Sequence, residues 1–236
     1  MVKGFRAVLA AVITIVACTY ASAQVVEYSP TQGPPKHESR PVQTVLRLSY
    51  ENFKNIKMLN AAIMNYGGGE SELERLVDQY AEASAFFFQN KEDLAADKFL
   101  ENEREILKVS QKLAKKYKED TEQLLNMGIK MNIRDSLKKG LKGDKPNAIA
   151  EKLLNNAQFG VQKANDYYDR YINATKASPR NLITSIYYYR RSKENLISMV
   201  EALDLDPETK KQILSQRKKD IEDNRNRIYL AKEKQN

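Results

Sequence analysis

Apolar residues recur at three- and four-residue steps along most of this chain, which is the spacing of one face of an α-helix. Leu46, Tyr50, Phe53, Ile56, Leu59 and Ile63 predict a helix over about 42–66, ended by Gly67-Gly68-Gly69. Leu73, Leu76, Val77, Tyr80, Ser84, Phe87 and Phe88 predict a second over 71–89, where Ser71-Glu72-Leu73-Glu74 fits a capping box. A third pattern begins near 92 and runs to about 139. There Phe99, Ile106, Leu113 and Met127 fall at multiples of seven, Asp120 stands as a gap, and Tyr117, Leu124 and Met131 form the partner series. The fourth covers about 146–177 on Ile149, Leu153, Ala157, Gly160, Ala164, Tyr168, Tyr171 and Thr175. The fifth covers 179–204 on Ile183, Ile186, Leu196, Val200 and Leu203, and the sixth starts at 207 on Ile213, Leu214, Ile221 and Ile228. No segment alternates with a period of two, so the fold class is all-α with about six long helices and no strands.

The prolines agree with this layout. Ser178-Pro179 and Asp206-Pro207 each read as an N-cap followed by proline at the first helical position. Pro146 opens the fourth pattern with Asp144 nearby. The 34-residue offset between Ile149 and Ile183 suggests stacked helix-turn-helix units. About 48 helical residues in the third pattern would span roughly 70 Å. A sphere of this many residues is roughly 45 Å across. An elongated bundle of helical hairpins follows.

The N-terminus has a different character. Lys3 and Arg6 precede an apolar run from Ala7 to Ala17, and Ala21-Ser22-Ala23 is a small-x-small cleavage site. Residues 1–23 therefore read as a signal peptide, with export to the periplasm. The run is shorter than the roughly 20 residues of a membrane span. Ile15-Val16-Ala17-Cys18 also reads as a lipobox, which would put a lipid anchor on Cys18 instead. Residues 24–43 hold Pro30, Pro34, Pro35 and Pro41 with Gly33, and read as an extended arm. The helical domain is then 44–236.

Composition narrows the chemistry. The chain has 236 residues, one His, one Cys, no Trp and a net charge of +8. His37 lies in the arm and Cys18 in the export segment, so the remaining chain can build no Cys/His zinc site and no Ser-His-Asp or Cys-His nucleophile. The glycine triplet lacks the Lys-Ser/Thr and the strand of a phosphate loop. Carboxylate pairs such as Glu72/Glu74 and Glu101/Glu105 sit among Lys and Arg on helical faces, without the desolvated cleft that acid–base work needs. The expectation is a protein that is not an enzyme and takes no metal or cofactor.

Two aromatic runs remain. Phe86-Phe87-Phe88 and Tyr187-Tyr188-Tyr189 each sweep about 200° of a helix, wider than one buried stripe. Arg190 and Arg191 follow the tyrosines, and Tyr167, Tyr168 and Tyr171 on the preceding helix could extend the same patch. Tyr beside Arg is the composition of interaction hot spots. These eleven residues are the candidate protein interface. Residues 70–105 carry a net −7 and residues 106–145 a net +6, which suits head-to-tail self-association. Nucleic acid is a poor partner, because the aromatics do not interleave with the basic run.

The whole resembles the spirochaete flagellar coiling proteins: an exported, elongated helical chain with Tyr187-Tyr188-Tyr189-Arg190-Arg191 after Ser178-Pro179. Those proteins sheathe the periplasmic flagellar filament. The resemblance covers 44–236 in architecture and implies a bent body of long helices without catalytic residues. It also implies flagellin core and other sheath proteins as partners. A periplasmic holdase chaperone and a lipoprotein adaptor are the alternatives of other classes.

Overall fold

The computed structural model describes residues 41–175, 178–215 and 217–218. The export segment, Cys18 and His37 lie outside the described residues, as do Ile221 and Ile228. The helices are α1 (Pro41–Ala62), α2 (Glu70–Phe88), α3 (Glu92–Leu141), α4 (Ala148–Ile172) and α5 (Pro179–Ala202). A π-helical turn, Ile63–Gly67, extends α1, and a sixth helical segment, α6, runs from residue 207 to 215 and through 217–218. All regular structure among the described residues is helical, as the periodicity predicts.

α3 is the spine. Its 50 residues correspond to about 75 Å of axis. The first half packs against α1 and α2, and α5 and α4 pack against the rest. Leu48, Leu59, Ile63, Leu76, Phe99, Ile106 and Leu113 are buried in the N-terminal half. Two buried amides staple that half: Asn52 donates to the Phe99 carbonyl at 2.8 Å, and Asn102 donates to the Leu76 carbonyl at 3.0 Å. In the other half Leu124, Met131, Ala150, Leu154, Leu196, Met199 and Val200 form one cluster, on which Ile213 and Leu214 of α6 also pack. Ala157, Gly160 and Ala164 are buried where α4 meets α5. A side chain at Gly160 would run into the Ser192 hydroxyl, so this small-residue stripe sets how closely the two helices approach.

Gly128 does not break α3. It is buried, and a Cβ there would lie 3.1 Å from both Leu196 Cδ2 and Met199 Cε of α5. Gly128→Ala is expected to be nearly neutral. About 1 kcal/mol of helix propensity is gained, against a small displacement of flexible side-chain ends. Gly128→Leu should instead cost about 1–3 kcal/mol by overpacking, read from urea unfolding midpoints.

Several local expectations change. Pro41, Val42 and Gln43 are helical, so the helix expected from about 42 is present and the arm, read as reaching 43, does not extend into α1. Pro41 reads as one more arm proline, yet it lies within α1. α1 buries Val45, Leu48 and Asn52 in place of Leu46 and Tyr50, because a buried asparagine interrupts its apolar stripe. No capping box forms at Ser71. α2 starts at Glu70 after Gly69, so Ser71 is inside the helix and its hydroxyl donates back to the Gly68 carbonyl. Pro146 precedes the cap of α4 and does not sit in its first turn: Asn147 is the cap, accepting from the Ile149 and Ala150 amides at 3.1 Å. α4 ends at Ile172, five residues short of the expected end, and Ile149 at its start is exposed. The caps at Ser178 and Asp206 are present as expected, accepting from Arg180 and Thr209.

Candidate protein-interaction surface

The α4–α5 hairpin positions the tyrosines. One helical turn separates Tyr188 from Ser192, and the Gly160 contact brings α4 close enough for Tyr167 to stack on Tyr188. The rings lie 5.7 Å apart and 11° from parallel. Tyr187 meets Tyr188 edge-on at 5.3 Å and is 46% exposed. The Arg170 guanidinium lies 5.0 Å over the Tyr167 ring. These four side chains form a half-exposed aromatic and cationic face, the kind of surface that gives up little rotamer freedom on contact. Arg190 is half-buried, and Arg191 is exposed with Glu194 at 2.6 Å.

The other tyrosines of the candidate interface contact neighbouring helices, and one of them is in the core. Tyr189 is fully buried, and its hydroxyl donates to Asn165. Burial pushes its ionisation well above the usual tyrosine range, with Glu122 adding to the effect. It is a core residue and presents no surface to a partner. The reason is phase: Tyr189 falls on the buried stripe through Ile186 and Leu196, whereas Tyr187 points the other way. Tyr168 lies under Lys118 of α3, 4.9 Å from ring to ammonium, and Tyr171 accepts from Gln111. Both tie α4 to α3.

Phe86, Phe87 and Phe88 form a separate feature at the α2–α3 corner. Phe88 is 49% exposed, Phe86 and Phe87 are half-buried, and Lys91 sits 5.8 Å over the Phe86 ring. α2 packs chiefly on α1, the π turn and α3, so the structure does not join this corner to the tyrosine face.

A polar centre at the middle of α3 was not legible as a site. Lys193 of α5 is 1% exposed and its ammonium lies 2.8 Å from Asp120 Oδ2. It also donates to the Tyr66 hydroxyl at 2.7 Å, which in turn donates to Asp120 at 3.3 Å. The ammonium sits 4.9 Å from the Tyr66 ring and 5.5 Å from the Tyr117 ring. Arg217 reaches the other Asp120 oxygen at 2.9 Å. Burial alone would raise the Asp120 ionisation, but Lys193 and then Arg217 outweigh it and hold the carboxyl below its ordinary value. The π turn delivers Tyr66 here, and left-handed Gly68 (φ 116°) closes that turn onto the Ile63 carbonyl. Every charge in the centre meets an opposite charge or a ring, so it acts as a clamp joining the π turn, α3, α5 and α6.

Among the described residues no three His, Cys, Asp or Glu side chains are grouped to hold a metal ion, and no helix is long and apolar enough to cross a membrane. Comparison of the chain with models of protein families, with curated proteins and with solved structures returns no match.

Proposed function

We propose that this chain is a non-enzymatic structural protein of the periplasmic flagellar filament, one that docks along the filament through the α4–α5 face. The observation that carries the reading is the half-exposed Tyr167–Tyr188–Tyr187 stack with Arg170, held on a rigid hairpin. The long α3 spine suits lateral contact along a fibre, and the sequence resemblance to flagellar coiling proteins names the fibre. Flagellin core and other sheath proteins are the proposed partners.

The test combines location with a surface variant. Immunoblots of fractionated cells and purified flagella should find the protein on the filament. Tyr187→Ser with Tyr188→Ser should remove it from flagella while circular dichroism stays unchanged, since neither ring is buried. Recovery in the soluble periplasm or the membrane, and none on flagella, would defeat the proposal.

A further inference from the structure

The two ends of α3 carry matching surfaces. At its C-terminal end Ile133, Leu137 and Leu141 recur every four residues and are exposed, Leu137 by 63% and Leu141 by 90%. They lie about 200° around the helix from Met131 and Asp135, which are buried, so the stripe faces away from the bundle. Lys130, Arg134 and Lys138 are exposed beside it. Residues 130–145 hold six basic and two acidic side chains. Asp204 and Asp206 lie in the turn after Ala202, whose carbonyl accepts from Asn147, six residues beyond Leu141.

The N-terminal end presents the converse. Phe88 and Leu94 are about half exposed, with Asp93 and Asp97 exposed next to them. Residues 78–97 hold five acidic side chains and one basic. Each end is thus apolar and charged, with opposite signs. One unbroken helix of about 75 Å separates them, so they cannot meet within one molecule.

We infer that the acidic Phe88/Leu94 end of one molecule docks on the basic Leu137/Leu141 end of a second copy. The contact is heterologous: different patches meet, so it does not close on itself and propagates into a chain of molecules. Opposite charge steers the encounter and fixes polarity, and the apolar residues supply the burial. The inference goes beyond the filament reading and is tested without a filament.

Sedimentation velocity of the purified full chain is the experiment. At about 0.05 M salt the average mass should rise with protein concentration above that of a single chain, and at about 0.5 M salt association should weaken about tenfold or more. Leu137→Ser with Leu141→Ser should be monomeric, and so should Phe88→Ser with Leu94→Ser. Mixed together, the two variants should form a one-to-one dimer and nothing larger, because each retains one intact end. Charge reversal by Lys138→Glu with Arg134→Glu should also abolish association and be restored by mixing with Asp93→Lys, Asp97→Lys protein. A wild-type protein that stays monomeric, or a single-end variant that still self-associates, would overturn the inference. So would Leu137/Leu141-dependent binding to phosphatidylglycerol vesicles by a protein that never self-associates. Filament docking lost with Tyr187 and Tyr188 while end-to-end association persists would show that the two surfaces are independent.

Discussion

Asp120→Ala is expected to lower the unfolding free energy by about 3–5 kcal/mol, the range for removing one partner of a buried ion pair. For a domain of this size that corresponds to a loss of about 6–20 °C in Tm. The cost is not the strength of one bond. The substitution strips the buried Lys193 of a counter-charge 2.8 Å away and removes the acceptor for Tyr66 and Arg217. Lys193→Met should cost less, because Asp120 keeps Arg217 and remains partly exposed to solvent. The double variant should be more stable than Asp120→Ala alone, since no charge is then left buried without its Asp120 partner. Urea unfolding of the three proteins checks this. A double variant as unstable as the sum of the singles would show that the pair is not coupled.

The same centre predicts a pH response. The folded-state value of Asp120 is depressed, so its contribution is complete above the ordinary carboxylate value, about 3.9. It is lost as pH falls through the lower folded value. Asp120→Asn should therefore flatten the acid limb of stability against pH and leave the slope near neutrality unchanged.

Tyr189→Ala is the other large effect, with an expected cost of about 3–5 kcal/mol from lost burial and a residual cavity. Tyr189 is among the largest fully buried side chains, and it fills the space between α5 and α4 where Asn165 accepts its hydroxyl. Tyr189→Phe should cost only about 1 kcal/mol, because Asn165 is half-buried and water can replace the lost donor. Thermal unfolding by circular dichroism separates the two. Equal losses for Ala and Phe would place the importance of the residue in the hydroxyl and not in the ring. Within one run of three tyrosines, the first two reach the surface and the last lies in the core.

The sequence patterns carried the helices well and the site unevenly. α3 was legible because Phe99, Ile106, Leu113 and Met127 keep a seven-residue step, joined by Tyr117, Leu124 and Met131, with Asp120 as the gap. Read alone, that gap is a surface charge in the wrong phase. The missing signal was its counterpart: Lys193 falls four residues after Tyr189 and three before Leu196, in phase with the core stripe of α5. Two opposite charges, each in register with the core face of its own helix, mark a buried pair. Neither helix shows this separately. The aromatic runs were legible as too wide for one stripe, but their division was not. Tyr189 is in phase with Ile186 and Leu196, but three adjacent rings read as one patch when they are not placed one by one on that stripe.

α3 crosses both cores as one uninterrupted helix, with Gly128 wedged against Leu196 and Met199. The polypeptide therefore has a strut in place of a joint: load applied at Glu92 travels along a continuous ladder of backbone hydrogen bonds to the Leu141 tip. Any array built on it inherits a spacing element of about 75 Å.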